Sequence, residues 1–232
     1  MNPERRVLWW EYTKLECRYI LKILERRRIL GLNEQKEETV VETDASLDQD
    51  EITLPIITEE DFKKQDGPRL DPLLTSPLTD ASTNPALNGA IPMTIYSSAI
   101  ATRSNDLSLV VGFYDVFLQF YPALSFVDAA LDSIKQHLVD KFPGRGKTLL
   151  IQIKDHARGL QPTDQRYPTA IRGMLKTAVD IPTLPANERK ECCEGLLQYL
   201  DMVSHEDGLD ENLQKAAEIF QEKVRGWLSE ER

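Results

Sequence analysis

The run from Leu107 to Val127, LSLVVGFYDVFLQFYPALSFV, is the most apolar stretch of the sequence, and its polar interruptions have a rhythm. Ser108, Gly112, Asp115, Gln119 and Pro122 recur at alternating steps of four and three, the spacing of one face of an α-helix. Ser125, Asp128, Asp132 and Lys135 continue the pattern beyond the proline. A helix with a narrow polar stripe and apolar residues elsewhere has to be enclosed by others. Pro122 lacks a backbone donor and clashes with the preceding turn, so it splits the rod into helices over 106–121 and 123–141. Asn105 or Ser104 is placed to cap the first. The run is about long enough to cross a bilayer. Asp115, Gln119 and Pro122 on its stripe favour a buried core helix, with no membrane span.

Towards the C-terminus the same reading yields further helices. Phe142-Pro143-Gly144-Arg145-Gly146 is a turn. A helix over 147–160 follows, with Leu149, Leu150, Ile153 and Ala157 inward, ended by Gly159 and Pro162. Another spans 167–179 with Ile171, Leu175, Ala178 and Val179 apolar. The last two form an αα-hairpin. Cys193, Leu196, Leu197, Leu200 and Val203 lie inside the first, which runs over 183–204. Leu209, Leu213, Ala216, Phe220, Val224 and Trp227 lie inside the second. Cys192-Cys193 reads as one buried and one half-exposed thiol. No strand alternation and no solenoid period appears.

Towards the N-terminus the character changes. Residues 33–95 hold prolines at 55, 68, 72, 77, 85 and 92, and residues 33–80 carry fourteen acidic against four basic side chains. Such a segment reads as a linker. Its apolar islands at 52–57, 70–78 and 91–96 can lie extended in a groove or pack on the chain's own helices. Before it, residues 3–30 read as a long helix with Pro3 in its first turn and Gly31 at its end. Leu8, Tyr12, Leu15, Tyr19 and Ile23 form one apolar row; Val7, Trp10, Cys17, Leu21 and Leu24 form the next. Arg26-Arg27-Arg28 suits the negative end of the helix dipole. A face that wide has to dock. The expected architecture is all-α: an irregular bundle of six or seven helices over 96–232, a linker over 33–95, and an N-terminal amphipathic helix over 1–32.

At 232 residues with 41% hydrophobic and 28% charged side chains, the chain has the makeup of an ordinary soluble protein. One domain of that size would bury roughly 70% of its unfolded surface, so it needs no disulfide or metal staple. Cys17, Cys192 and Cys193 show no CxxC spacing. They read as reduced thiols of a cytoplasmic, intracellular protein. The charged start at Met1–Arg6 does not resemble a secretory signal.

Catalytic and metal patterns are scarce. Gly144-Arg145-Gly146-Lys147-Thr148 resembles a phosphate-binding loop, but Lys141 stands where that motif needs its first glycine, and a helix precedes it. The histidines, His137, His156 and His205, have neither paired spacing nor a cysteine cluster, so no zinc ligands are assigned. Asp155 and His156 are neighbours on a helix and point apart. No GxSxG elbow is present. Catalytic, metal and cofactor residues are therefore assigned as none, and the reading leans away from an enzyme.

The net charge of −10 hides a basic segment, in which Lys141, Arg145, Lys147, Lys154, Arg158, Arg166, Arg172 and Lys176 face only Asp155 and Asp164. The expected function is a non-catalytic interaction module, an adaptor or assembly subunit. It would dock a protein partner or a second copy through its N-terminal helix and linker, with Val7, Trp9, Trp10, Leu21 and Leu24 as partner-binding candidates. The alternative is an accessory subunit gripping nucleic-acid backbone through Arg145, Lys147, Lys154, Arg158, Arg166 and Arg172. Aromatic residues do not alternate regularly with these cations as a base-stacking platform requires. An enzyme whose site is invisible in sequence is the remaining alternative.

Overall fold

The computed structural model describes residues 4–29, 84, 86–206 and 210–229. Among them every regular element is helical, as expected. The linker islands at 52–57 and 70–78, Gly31 and Leu209 lie outside the described residues. The helices are α1 (Glu4–Ile29), α2 (Ala90–Thr102), α3 (Leu107–Leu118), α4 (Val127–Lys141), α5 (Gly146–Asp155), α6 (Tyr167–Ala178), α7 (Ala186–Ser204) and α8 (Glu211–Ser229). A 3₁₀ turn at Ile181–Thr183 leads into α7. The chain divides into two compact units, one of residues 1–19 with 89–232 and one of residues 20–88.

The apolar run splits as Pro122 requires. Its first half ends at Leu118 and its second begins at Val127, with a cis Tyr121–Pro122 bond in the turn between them. Asp106, one residue beyond the expected cap, accepts a hydrogen bond from the Leu109 amide at 3.1 Å. Leu109, Val110, Phe113 and Phe117 are wholly buried, and so are Val127, Leu131 and Ile134 of α4. The Phe113 and Tyr96 rings meet edge to face, 5.2 Å between centroids, a favoured aromatic geometry. Tyr96 belongs to the island at 91–96, which is helical rather than extended. Pro92 sits in the first turn of α2, where its missing amide costs nothing.

The second half of the core joins α5 through α8. Ile153, Ile171, Met174, Leu196, Leu200, Phe220 and Val224 pack in one cluster. The α7–α8 hairpin forms with the expected inward residues, except that Ala217 rather than Ala216 is fully inside. Both Cys192 and Cys193 are buried, which corrects the expectation of one half-exposed thiol. Helix α5 ends at Asp155, short of the expected Leu160. Its last turn tightens: His156, Ala157 and Arg158 donate to the carbonyls of Ile153, Lys154 and Asp155. Gly159 then takes a left-handed φ of 67°, which ends a helix cheaply only at glycine.

Candidate functional site

The polar stripe of α3 is where α1 attaches. At Gly112 a β-carbon would stand 2.2 Å from Cε2 of Trp10, so only glycine lets the indole lie this close. The indole N–H donates to the Leu109 carbonyl at 3.2 Å. One turn earlier the Arg6 guanidinium pairs with Asp106 at 2.7 Å. Thr13 and Cys17 continue this inward side and are fully buried. The Thr13 hydroxyl is satisfied by the Trp9 carbonyl at 2.9 Å.

The opposite side of α1 is open. Leu8, Tyr12, Leu15 and Tyr19 are 69%, 49%, 62% and 59% exposed. Their steps of four, three and four are those of the a and d positions of a coiled-coil heptad. In that register Trp10 and Cys17 take position f and Thr13 position b, so the chain buries the side turned away from the seam. Glu11, Glu16 and Arg18 flank it at g, e and g. Of the sequence candidates, Val7 is half exposed and Trp9 partly buried beside the seam. Trp10 is taken by the chain's own α3. Leu21 and Leu24 are partly buried, in the unit of residues 20–88.

The basic segment is largely neutralised by the chain's own carboxylates. Arg158, with only 9% of its side chain exposed, contacts Asp128 and Asp132 at 2.7 Å each and also Asp155. Asp155 further accepts hydrogen bonds from Tyr114 and Lys135, which ties α3, α4 and α5 together. Burial alone would raise the Asp155 carboxyl. The hydrogen bonds from Lys135, Tyr114 and Arg158 outweigh it and hold the group below the usual carboxylate range. Arg145 meets Glu188 at 3.0 Å, Lys147 meets Glu191 at 3.3 Å, and Arg166 meets Asp164 at 2.8 Å. Arg172 is exposed on α6.

The loop resembling a phosphate site is occupied by a side chain. The Gly146 amide, first in α5, donates to Glu188 Oε2 at 2.7 Å. That carboxylate stands where the helix N-terminus would draw an external anion. A β-carbon at Gly146 would lie 2.1 Å from the Glu188 carbonyl oxygen, so the glycine serves helix packing. His156 turns to the Thr177 hydroxyl, 2.8 Å from Nε2, away from Asp155's partners. Among the described residues no group of three His, Cys, Asp or Glu side chains is arranged to hold a metal ion.

Lys154 differs from its neighbours. Among the described residues no carboxylate lies within ion-pair distance of it. Its ammonium lies over the Tyr199 ring, 5.3 Å from the centroid, and the Tyr199 hydroxyl is 3.0 Å from that of Tyr167. The cleft around it has a volume of about 650 Å³, with Val111, Leu118, Leu150 and Leu160 in its walls. Burial pulls the Lys154 ammonium below its ordinary value. Burial also raises Asp115 at the rim of the cleft, although Asp115 keeps more than a third of its surface in water. The sequence places Lys154 among six basic candidates and gives it no setting different from theirs. Its setting comes from Tyr199, which another helix supplies. No protein-family model matches the chain, and no curated protein matches it.

Proposed function

We propose that the chain is a helical interaction module that assembles with another helix along the outward seam of α1. The reading rests on one observation: Leu8, Tyr12, Leu15 and Tyr19 stay open at a and d spacing while the fold is secured from the opposite side. Large contiguous apolar surfaces of this kind mark interaction sites, and a seam at this spacing accepts knobs from a facing helix. A second copy of α1 fits it when laid antiparallel. Glu11 of each helix then faces Arg18 of the other along the flank where the two g positions meet, an isologous pair of contacts. In the parallel arrangement Glu11 would meet Glu16 and be repelled.

An adaptor or assembly role in the cytoplasm follows from this reading, supported by three buried cysteines without the spacing of a disulfide framework. A nucleic-acid role draws less support, because Arg145, Lys147, Arg158 and Arg166 already contact carboxylates. Light scattering after size exclusion tests the proposal. The full chain should show a mass that rises with concentration, and Leu15→Glu together with Tyr12→Glu should abolish the rise while leaving the circular dichroism intact. A full chain that is monomeric at all concentrations rules out self-assembly. If it also captures no amphipathic helix through Leu15 in cross-linking, the reading fails.

A further inference from the structure

The cleft around Lys154 plays no part in the docking of α1's outward seam. We propose that it binds a small amphipathic anion, a monocarboxylic acid with an apolar body, whose carboxylate is held by Lys154. The volume of about 650 Å³ falls within the range of small-molecule sites, which combine apolar walls with a few placed polar groups. Val111, Leu118, Leu150 and Leu160 supply such walls from α3, α5 and the turn after it.

The charges select the ligand's sign. Arg158 reaches the cleft but is held by three aspartates, and Lys147 is drawn to Glu191. Among the described residues Lys154 has the face of Tyr199 and no carboxylate in ion-pair contact, so its charge is available to an anion at a partly desolvated position. A hydrogen bond to a charged group is worth more there than in water. Two carboxylates of the cleft oppose an incoming anion, and both stand in water: Asp115 also lines the depression beside Trp10 and Gly112, at the outer edge, and Glu206 is exposed just past the end of α7. An acid group seated on Lys154 keeps its apolar body inward and Asp115 in water. A small hydrophilic anion would gain only the charge contact, and a neutral alcohol only the walls.

Calorimetric titration of the full chain with octanoate, acetate and 1-octanol tests this. Octanoate should bind at one site, about tenfold or more tighter than either of the others. Lys154→Met keeps the length of the side chain and removes its charge. It should cost octanoate about tenfold and leave octanol unchanged, while Lys190→Met, on the exposed side of α7, changes neither. Should Lys154→Met fail to fold, the Lys154 ε-methylene resonance of the unaltered protein must move on titration with octanoate and stay still with octanol. The proposal is overturned by octanoate binding that survives Lys154→Met. Octanol binding as tightly as octanoate would overturn it too, as would the absence of both heat and resonance shift at about 5 mM octanoate, beyond weak specific binding.

Discussion

Replacing Gly112 by alanine sets two effects of known sign against each other. In a helix interior alanine is favoured over glycine by about 0.5–1 kcal/mol, because glycine loses more backbone freedom on folding. At Gly112 the added carbon meets Cε2, Cζ2 and Nε1 of Trp10 at 2.2, 2.3 and 2.6 Å. The indole is a wide rigid plate anchored by its bond to the Leu109 carbonyl, so it cannot yield as a flexible chain end would. Overpacking of this kind costs about 1–3 kcal/mol, and losing the anchoring hydrogen bond adds about 1 kcal/mol. The net expectation is destabilisation by about 1–3 kcal/mol. Gly226, on α8, supplies the control, since a β-carbon there has nothing within 4 Å. Gly226→Ala should stabilise by about 0.5–1 kcal/mol. Urea unfolding followed by circular dichroism reads both, with an unchanged slope confirming that the midpoint reports stability. If Gly112→Ala raises the midpoint as Gly226→Ala does, and tryptophan emission is unaltered, the attachment of α1 through Trp10 is refuted.

Arg158→Met should destabilise by about 2–4 kcal/mol in the same assay. It removes one partner of a buried carboxylate, although Lys135 and Tyr114 still bind Asp155; a loss below about 0.5 kcal/mol would show that the hub is dispensable. Asp155 and Asp132 are both held below the ordinary carboxylate range. Their stabilisation is therefore present above pH ~4 and is lost as pH falls through their lowered native values. The acid unfolding midpoint of Arg158→Met should accordingly lie at higher pH than that of the unaltered chain. Burial pushes the thiols of Cys17 and Cys192 up to about 12, so neither should react with a disulfide reagent at pH ~8 until denaturant is added. Rapid labelling of the native protein would contradict their placement. Glu188→Ala should cost about 1 kcal/mol by uncapping α5, and a neutral result in thermal melts would count against that cap.

The helices and their breaks were legible because they rest on local chemistry. The proline at 122, the turn at 142–146 and the three-and-four spacing of Leu196, Leu200 and Val203 each act within a few residues. Helix α5 stops before the point its apolar spacing predicts, because the turn at 156–158 tightens beside the Asp155–Arg158 contact and Gly159 then takes a left-handed φ. The two apolar rows of α1 could not be ranked by hydrophobicity. Thr13 and Trp10, which carry the attachment, are less apolar than Leu8 and Leu15, which face water. What decides between them is Gly112, a hundred residues away, whose missing side chain admits an indole. The basic segment misled for the same reason: its charges are consecutive in sequence, while Glu188, Glu191, Asp128 and Asp132 arrive from other helices.

Because α1 is fastened along one side, through Arg6, Trp10, Thr13 and Cys17, its two sides answer to different demands. On the proposed reading, changes at Leu8, Tyr12, Leu15 or Tyr19 alter what the helix docks on without loosening its own seat. Changes at Trp10 or Gly112 loosen the seat and leave the outward seam chemically whole. Docking and folding would then drift apart within a single helix, one side free to vary while the other is held.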